Sequence, residues 1–323
     1  MKIEARKEIW PLKETFRISR GSRTETQVVA VIVSDRQYTG RGEGVPIRRY
    51  NQTSQSVLNQ IEMLKREEDL DRQKLQELLP ACTARNAVDC ALWDLEAKRS
   101  GKRVWELANV AMKLEVETSF TISLGAPEAM AAAATANANL PLLKLKLGGD
   151  NVDLTRVEAV RAASNARLLI DANESWSPEH YRNVVPKLKI LGVELIEQPF
   201  PADSDEILET LEHPIPVCAD ESCHTTDNLP RPKNRYDMIN VKLDKTGGLT
   251  EALRLFERAR QNDFKVLIGC MVGTSLSMAP ARIIASIADY VDLDGPLLLS
   301  RDCDYGIRYE KGKIDIPPRQ LWG

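Results

Sequence analysis

Five charged residues close successive apolar runs of the chain: Lys146 in L-L-K-L-K, Asp171 in L-L-I-D, Glu197 in V-E-L-I-E, Asp220 after I-P-V-C-A and Lys242 after M-I-N-V. The steps between them are 25, 26, 23 and 22 residues, each long enough for one strand and one helix. In a parallel barrel the C-terminal ends of consecutive strands meet at one mouth, so this spacing gathers three carboxylates between two lysines. One Lys or Asp at a strand end is ordinarily a solvated loop residue or a helix N-cap; five in register are not. Three carboxylates without a neighbouring His or Cys form the all-oxygen ligand set of a hard cation, Mg²⁺ or Mn²⁺. A lysine beside such a cation and a second ammonium is disfavoured in its charged form and becomes a general base near neutral pH. The cation can hold a substrate carboxylate and stabilise the ene-diolate left when the adjacent α-proton departs. Two bases on opposite sides of the triad would then face opposite faces of that planar species, and removal by one with return by the other inverts the α-carbon. Lys144 shares a strand face with Lys146, while Leu143, Leu145 and Leu147 point the other way, against helices.

The rest of the pattern supplies the elements that must hold these groups. Over residues 113–297, short apolar runs such as F-T-I-S-L, L-L-K-L-K-L and L-L-I-D-A-N alternate with helical stretches such as V-D-L-T-R-V-E-A-V-R, which predicts βα units closing into a barrel. Residues 1–112 read differently. Lys2 to Ser34 alternates as a hairpin or meander does, most clearly in Q-V-V-A-V-I-V, and Y-T-G-R-G-E-G reads as turn-rich. Thr53 to Arg66, Asp71 to Leu79 and Ala84 to Arg99 carry helical spacing, the last stopping at Ser100-Gly101. The predicted fold class is α/β: a modified (β/α)8 TIM-type barrel with an N-terminal α+β capping domain, on which the segment 298–323 folds back.

Composition narrows the function classes. The 323 residues carry a net charge of −3, with basic residues scattered rather than clustered, so no nucleic-acid partner is expected. The charged N-terminus M-K-I-E-A-R-K-E lacks an apolar targeting core, and no apolar run approaches a bilayer span; no membrane partner and a cytoplasmic location are expected. Six cysteines without a C-x-x-C pair read as reduced thiols, and three histidines without H-E-x-x-H argue against a zinc or iron centre. A small-molecule substrate is the remaining expectation, with homo-oligomerisation left open.

The motifs K-L-K, D-A-N, E-Q-P, A-D-E-S, N-V-K-L-D-K-T-G-G, I-G-C-M and D-L-D-G-P, in this order along the whole chain, resemble the enolase superfamily, in its muconate-lactonising subgroup, and within it the dipeptide epimerases of the L-Ala-D/L-Glu type. The resemblance implies that Asp171, Glu197 and Asp220 bind one Mg²⁺ per subunit and that Lys146 and Lys242 are the acid/base catalysts. It places Lys144 against the substrate carboxylate or beside Lys146 as an electrostatic neighbour, and gives the α-ammonium of a dipeptide to Asp292 and Asp294. The spacing alone reads D-L-D as a turn before Gly295-Pro296. Thr121, Cys270 and Val272 match cavity-lining positions, and S-R-G-S-R offers Arg20 or Arg23 to an acidic side chain on the second residue. Glu221, Asp244 and Lys245 fall in supporting positions. His224 reads as structural, because two lysines already fill both proton-transfer roles. The implied activity is epimerisation of the C-terminal residue of a dipeptide, L-Ala-D-Glu to L-Ala-L-Glu, as in murein-peptide recycling. The same site could serve o-succinylbenzoate synthesis, N-acylamino-acid racemisation or cycloisomerisation. Three spaced carboxylates speak against a Schiff-base aldolase, and the two lysines against a barrel that only binds a ligand.

Overall fold

A computed structural model describes residues 1–323. The chain opens with three antiparallel strands in meander order, β1 (Lys2–Ile18), β2 (Gly21–Asp35) and β3 (Tyr38–Gly44). Alternation in β2 buries Val29, Val31 and Val33 on one face, which packs on helices α1 (Ser54–Leu64), α2 (Arg72–Leu78) and α3 (Thr83–Ser100) through Val57, Ile61, Leu75, Ala87, Val88 and Leu95. Thr53 and Asp71 cap the first two helices by accepting from Ser56 N and Lys74 N, and α3 stops at Gly101 in the left-handed region, φ 71°.

The segment Y-T-G-R-G-E-G is a strand, not a turn. Its glycines serve contact rather than bending: a Cβ on Gly40 or Gly42 would stand 2.0 Å from the carbonyl oxygen of Ala91 or Ala87. β3 lies directly on the backbone of α3, and only glycine allows that approach.

After a short helix, α4 (Val104–Leu107), and a two-residue strand, β4 (Val116–Glu117), the barrel begins with β5 (Phe120–Ile122), α5 (Pro127–Ala136), β6 (Leu142–Lys146), α6 (Asp153–Ala163), β7 (Arg167–Asp171), α7 (Pro178–Ile190) and β8 (Val193–Glu197). It continues through β9 (Val217–Ala219), β10 (Met238–Val241), α8 (Leu243–Thr246), α9 (Leu249–Gln261), β11 (Lys265–Gly269), α10 (Ser275–Ala285) and β12 (Tyr290–Asp292). The eight strands β5 to β12 pair in chain order and in parallel. Ser119 N donates to Val291 O across the remaining seam at 2.9 Å. The helices expected after β8 and β9 are replaced by 3₁₀ turns, Glu206–Thr210 and Thr226–Asn228.

Strand parity layers the interior. Leu142, Leu169, Leu195, Cys218, Met238 and Leu267 form an apolar floor, and residues two or more positions further along each strand rise above it toward the mouth. Leu143, Leu145 and Leu147 face outward into the main core. Beyond the last barrel strand come α11 (Gly295–Leu298), β13 (Tyr309–Glu310) and β14 (Lys313–Ile314), which pairs with β4. Ser300 N donates to Pro11 O at 2.9 Å, and Gly323 N donates to Asp94 Oδ1 at 2.7 Å. The Arg282 guanidinium, fully buried, donates to the carbonyls of Lys113, Leu114 and Ile314, which ties both chain segments to α10. All six cysteines are free, and no helix is long and apolar enough to cross a membrane.

Candidate active site

The barrel mouth collects the charged residues that end its strands. Lys144, Lys146, Asp171, Glu197, Asp220 and Lys242 are each between 0% and 8% exposed. Lys146 Nζ lies 2.5 Å from Asp171 Oδ2, and Lys242 Nζ lies 2.5 Å from Asp220 Oδ2 and 3.4 Å from Glu197 Oε1. Lys144 reaches Glu197 Oε2 at 2.6 Å, Asp292 Oδ2 at 2.7 Å and Asp171 Oδ2 at 3.3 Å. β6 and β10 stand four steps apart in a ring of eight, so Lys146 and Lys242 approach one carboxylate triad from opposite sides.

Electrostatics follows from this interleaving. Burial disfavours the charges of Lys242 and Lys144, but carboxylates outweigh it: Asp220 and Glu197 hold Lys242 well above its ordinary value, and Asp292, Glu197 and Asp171 do so for Lys144. The sequence-based expectation of a lowered lysine pKa therefore does not describe Lys242 among carboxylates alone. Against the cost of burial, Lys146, Lys144 and Lys242 hold Asp171 below the usual carboxylate range, and Lys242 and Lys245 do the same for Asp220. Burial and the charge of Asp171 raise Glu197.

The triad suits a hard cation. Glu197 Oε2 and Asp220 Oδ1 are buried and lack an aligned hydrogen-bond donor, although Lys144 Nζ and Lys245 Nζ approach them to 2.6 and 2.8 Å. A carboxylate oxygen carries two lone pairs, so a single ammonium contact leaves acceptor capacity on each, and an all-oxygen set is what Mg²⁺ takes.

Around the triad, Asp292 accepts from Ser119 Oγ at 2.6 Å as well as from Lys144, and Asp294 accepts from Thr121 N at 2.6 Å. Burial opposes the charge of Asp292, yet Lys144 keeps it below its ordinary value, while burial and the neighbouring Asp292 push Asp294 up to about 7. Cys270 follows β11 at the same rim, close enough to Asp294 and Asp292 for their charges to act on its thiol. Val272, two residues on, packs with Leu12, Phe16 and Leu299 beneath the β1–β2 hairpin.

That hairpin reaches over the mouth. Ser19 Oγ and Arg20 Nη1 donate to Asn173 O at 3.1 and 2.9 Å, and Arg20 also pairs with Glu174 at 3.0 Å and Glu221 at 2.8 Å. Arg20 is thus consumed by the protein's own carboxylates. Arg23 forms no ion pair; its guanidinium sits 5.5 Å from the Phe16 ring and near Cys270. It remains open to solvent yet sunk among protein atoms, and that desolvation lowers its pKa. His224 packs edge-on against Tyr50 at 4.6 Å, and burial with Lys245 lowers it to about 4.

Sequence reading missed two supports, Asn240 and Gln198, and placed a third, Lys245, in a supporting position. Asn240 donates to Glu197 Oε1 at 2.8 Å; it stands two residues before Lys242, and the alternation that pairs Lys144 with Lys146 would have found it. Gln198, in the left-handed region at φ 37°, accepts from Asp220 N at 2.8 Å and donates to Ser222 Oγ and Tyr236 OH. Lys245 is fully buried and donates to the Asp220 and Cys223 carbonyls.

Comparison with known proteins agrees with this architecture. Residues 128–320 match the enolase C-terminal domain-like family model, and residues 1–108 match the mandelate racemase/muconate lactonizing enzyme N-terminal domain. An L-Ala-D/L-Glu epimerase of Escherichia coli K12 is 41% identical, the alignment covering 97% of this chain and 99% of that protein. An N-acetyl-D-glutamate racemase of a Pseudoalteromonas species is 42% identical over 92% of this chain and 95% of that one. A solved enolase-family structure from Agrobacterium tumefaciens, with homology to dipeptide epimerases and with bound sodium and L-Ala-L-Glu, has a TM-score of 0.97 at 45% identity and covers 99% of both chains. A dipeptide epimerase from Enterococcus faecalis complexed with Mg and L-Leu-L-Tyr has a TM-score of 0.91 at 26% identity, covering 98% of this chain and 96% of that one. This chain belongs to the mandelate racemase/muconate-lactonising family of the enolase superfamily.

Proposed function

We propose that this protein is an Mg²⁺-dependent dipeptide epimerase that interconverts L-Ala-D-Glu and L-Ala-L-Glu, with Lys146 and Lys242 as its two acid/base groups. The observation that carries this reading is the approach of two lysines, four strands apart, to one triad of carboxylates. Asp171, Glu197 and Asp220 hold the cation, one per subunit. When bound, Mg²⁺ offsets the triad's charge and polarises the substrate carboxylate, so that the adjacent C–H becomes acidic enough to lose its proton.

The protein's own residues do the rest. With Asp220 and Glu197 occupied, burial and the charge of Lys144 are left to favour a neutral amine at Lys242. One lysine takes the α-proton, the other returns a proton to the opposite face, and each resets by exchange with solvent. Lys144 lies between the triad and Asp292, where it can meet the substrate carboxylate and balance charge. Asp292 and Asp294 receive the α-ammonium through charge-assisted hydrogen bonds, and Arg23, without a carboxylate of its own, takes the side-chain carboxylate of glutamate. Thr121 and Cys270 border that cavity. Arg20 serves closure rather than recognition. Murein-peptide turnover in the cytoplasm supplies such a substrate, and free thiols suit that compartment.

N-acetylglutamate racemisation is the competing reading, given the 42% identical racemase. An acetylated nitrogen brings no positive charge to Asp292 and Asp294, which disfavours it here.

The test follows the α-proton. In D₂O with Mg²⁺, the wild type should epimerise L-Ala-L-Glu with deuterium incorporation and act far more slowly on N-acetyl-D-glutamate. Lys146→Ala and Lys242→Ala should each abolish epimerisation while exchanging the α-proton of one epimer only. Full epimerisation by either variant would sink the two-base scheme, and preference for the acetylated substrate would overturn the specificity.

A further inference from the structure

We propose that helix α3 of the N-terminal unit is a positioning element for Lys242 and not for Lys146, so that this helix governs proton transfer on one face of the substrate. The inference rests on the two-lysine reading above. Lys242 leads directly into α8, whose Thr246 donates from both N and Oγ1 to the Lys242 carbonyl at 3.0 Å. That single turn is gripped from outside the barrel. Arg85 Nη2 donates to Thr246 O at 2.7 Å and its Nε to Gly247 O at 3.0 Å. Asn86 Nδ2 donates to Asp244 Oδ1 at 2.8 Å, where Val45 N also donates at 2.8 Å. Asp89 accepts from Thr250 N at 2.9 Å and from Thr250 Oγ1 at 2.6 Å.

Residues 85 and 89 are four apart and 86 and 89 three apart, which brings all three to one side of α3. They account for the glycine pair in K-T-G-G, which proton transfer leaves unexplained. Gly247 and Gly248 adopt φ 80° and 118°, and a Cβ on either would come within 2.5 Å of Arg85 Nε or Asp89 Oδ2. Glycine is needed there so that α3 can seat its side chains on the loop backbone.

Lys146 is held by other means. The loop after it donates from Gly148 N and Gly149 N to Asp153 Oδ1 and Oδ2 at 3.0 and 2.8 Å. Asp153 is fixed in turn by Arg156 at 2.7 Å and Trp176 Nε1 at 3.1 Å. All of these are barrel residues, so the two bases have separate supports. A displacement of about 1 Å at a reacting group costs roughly 100-fold in rate, and damage to one support should fall on one base.

The experiment uses the full chain loaded with Mg²⁺ and follows α-proton exchange in D₂O by NMR, separately for L-Ala-L-Glu and L-Ala-D-Glu. Asn86→Ala, Arg85→Met and Thr250→Val cut different links, so any one that folds decides the matter; Lys242→Ala identifies the epimer that Lys242 serves. Each variant should lose on the order of 10- to 100-fold in exchange of that epimer and keep the other within about threefold, while Asp153→Asn should show the opposite bias. Equal loss on both epimers, no loss on either, or loss on the epimer Lys146 serves would overturn the proposal. If Lys242→Ala itself shows no bias, the two-base reading has failed and takes this inference with it. A biased Lys242→Ala beside unbiased α3 variants refutes the inference alone.

Discussion

Replacing Glu43 with glutamine should stabilise the protein at neutral and alkaline pH while leaving it unchanged in mild acid. Glu43 is 2% exposed on β3, where its carboxylate accepts from Thr274 N at 2.8 Å and from Thr274 Oγ1 at 2.6 Å at the start of α10. Burial, with added repulsion from Asp244 and Glu8, raises it from 4.5 to about 7. An acid whose native pKa is raised keeps its proton longer folded than unfolded. Its contribution is therefore fully present below pH 4.5, declines as pH rises, and is lost by about pH 7. At about 1.36 kcal/mol per pH unit, the gap amounts to on the order of 3 kcal/mol. Glutamine stays neutral, keeps an acceptor for the Thr274 N–H, and can donate its amide to a reoriented hydroxyl. Thermal unfolding of both proteins from pH 4.5 to 8.5 is the assay. The variant's midpoint should rise relative to the wild type by roughly 4 °C at pH 8, and the two should converge near pH 4.5. Parallel curves across that range would show that Glu43 is ionised in the native state and refute the reasoning.

Arg23→Gln should cut kcat/KM for L-Ala-L-Glu by about 10- to 100-fold, the worth of a charge-assisted pair, with much less effect on a dipeptide ending in glutamine; an equal loss on both would deny Arg23 its role in recognition. Gly42→Ala places a Cβ 2.0 Å from Ala87 O and should destabilise the protein by about 3 kcal/mol, read by denaturant unfolding; a neutral result would mean β3 and α3 separate freely. Chelation should abolish α-proton exchange, and Mg²⁺ at 100 times its Kd should restore it together with about 2.7 kcal/mol of stability; exchange that survives EDTA would remove the cation from the reaction.

What could be read in advance depended on how local each signal was. Lys146, Asp171, Glu197, Asp220 and Lys242 were legible because a barrel repeats in sequence and strands alternate by twos, so distance along the chain maps onto place in the mouth. Asn240 obeys the same rule but is uncharged, and a neutral amide in an apolar run draws less notice than a lysine. Gly40, Gly42 and Gly44 read as turn residues because the reason for them, the backbone of α3, lies about 45 residues away in the chain. Arg20 and Arg23 could not be separated for a similar reason: Glu174 and Glu221, which consume Arg20, arrive from two different barrel loops. Spacing alone reads the D-L-D pair as a turn, because the partner of Asp292, Lys144, comes from a distant strand across the seam.

The apolar floor under the charged layer makes the site a cul-de-sac. With Leu142, Leu169, Leu195, Cys218, Met238 and Leu267 closing the far end, a molecule can leave only by the opening through which it came. The β1–β2 hairpin, tied to Asn173, Glu174 and Glu221, spans that opening. Every turnover therefore involves two passages through one door, and an enzyme whose chemistry is reversible has no means of telling outgoing product from incoming substrate. The direction of net conversion must come from whatever consumes one epimer outside, and traffic through the hairpin, rather than proton transfer, can set the ceiling on the rate.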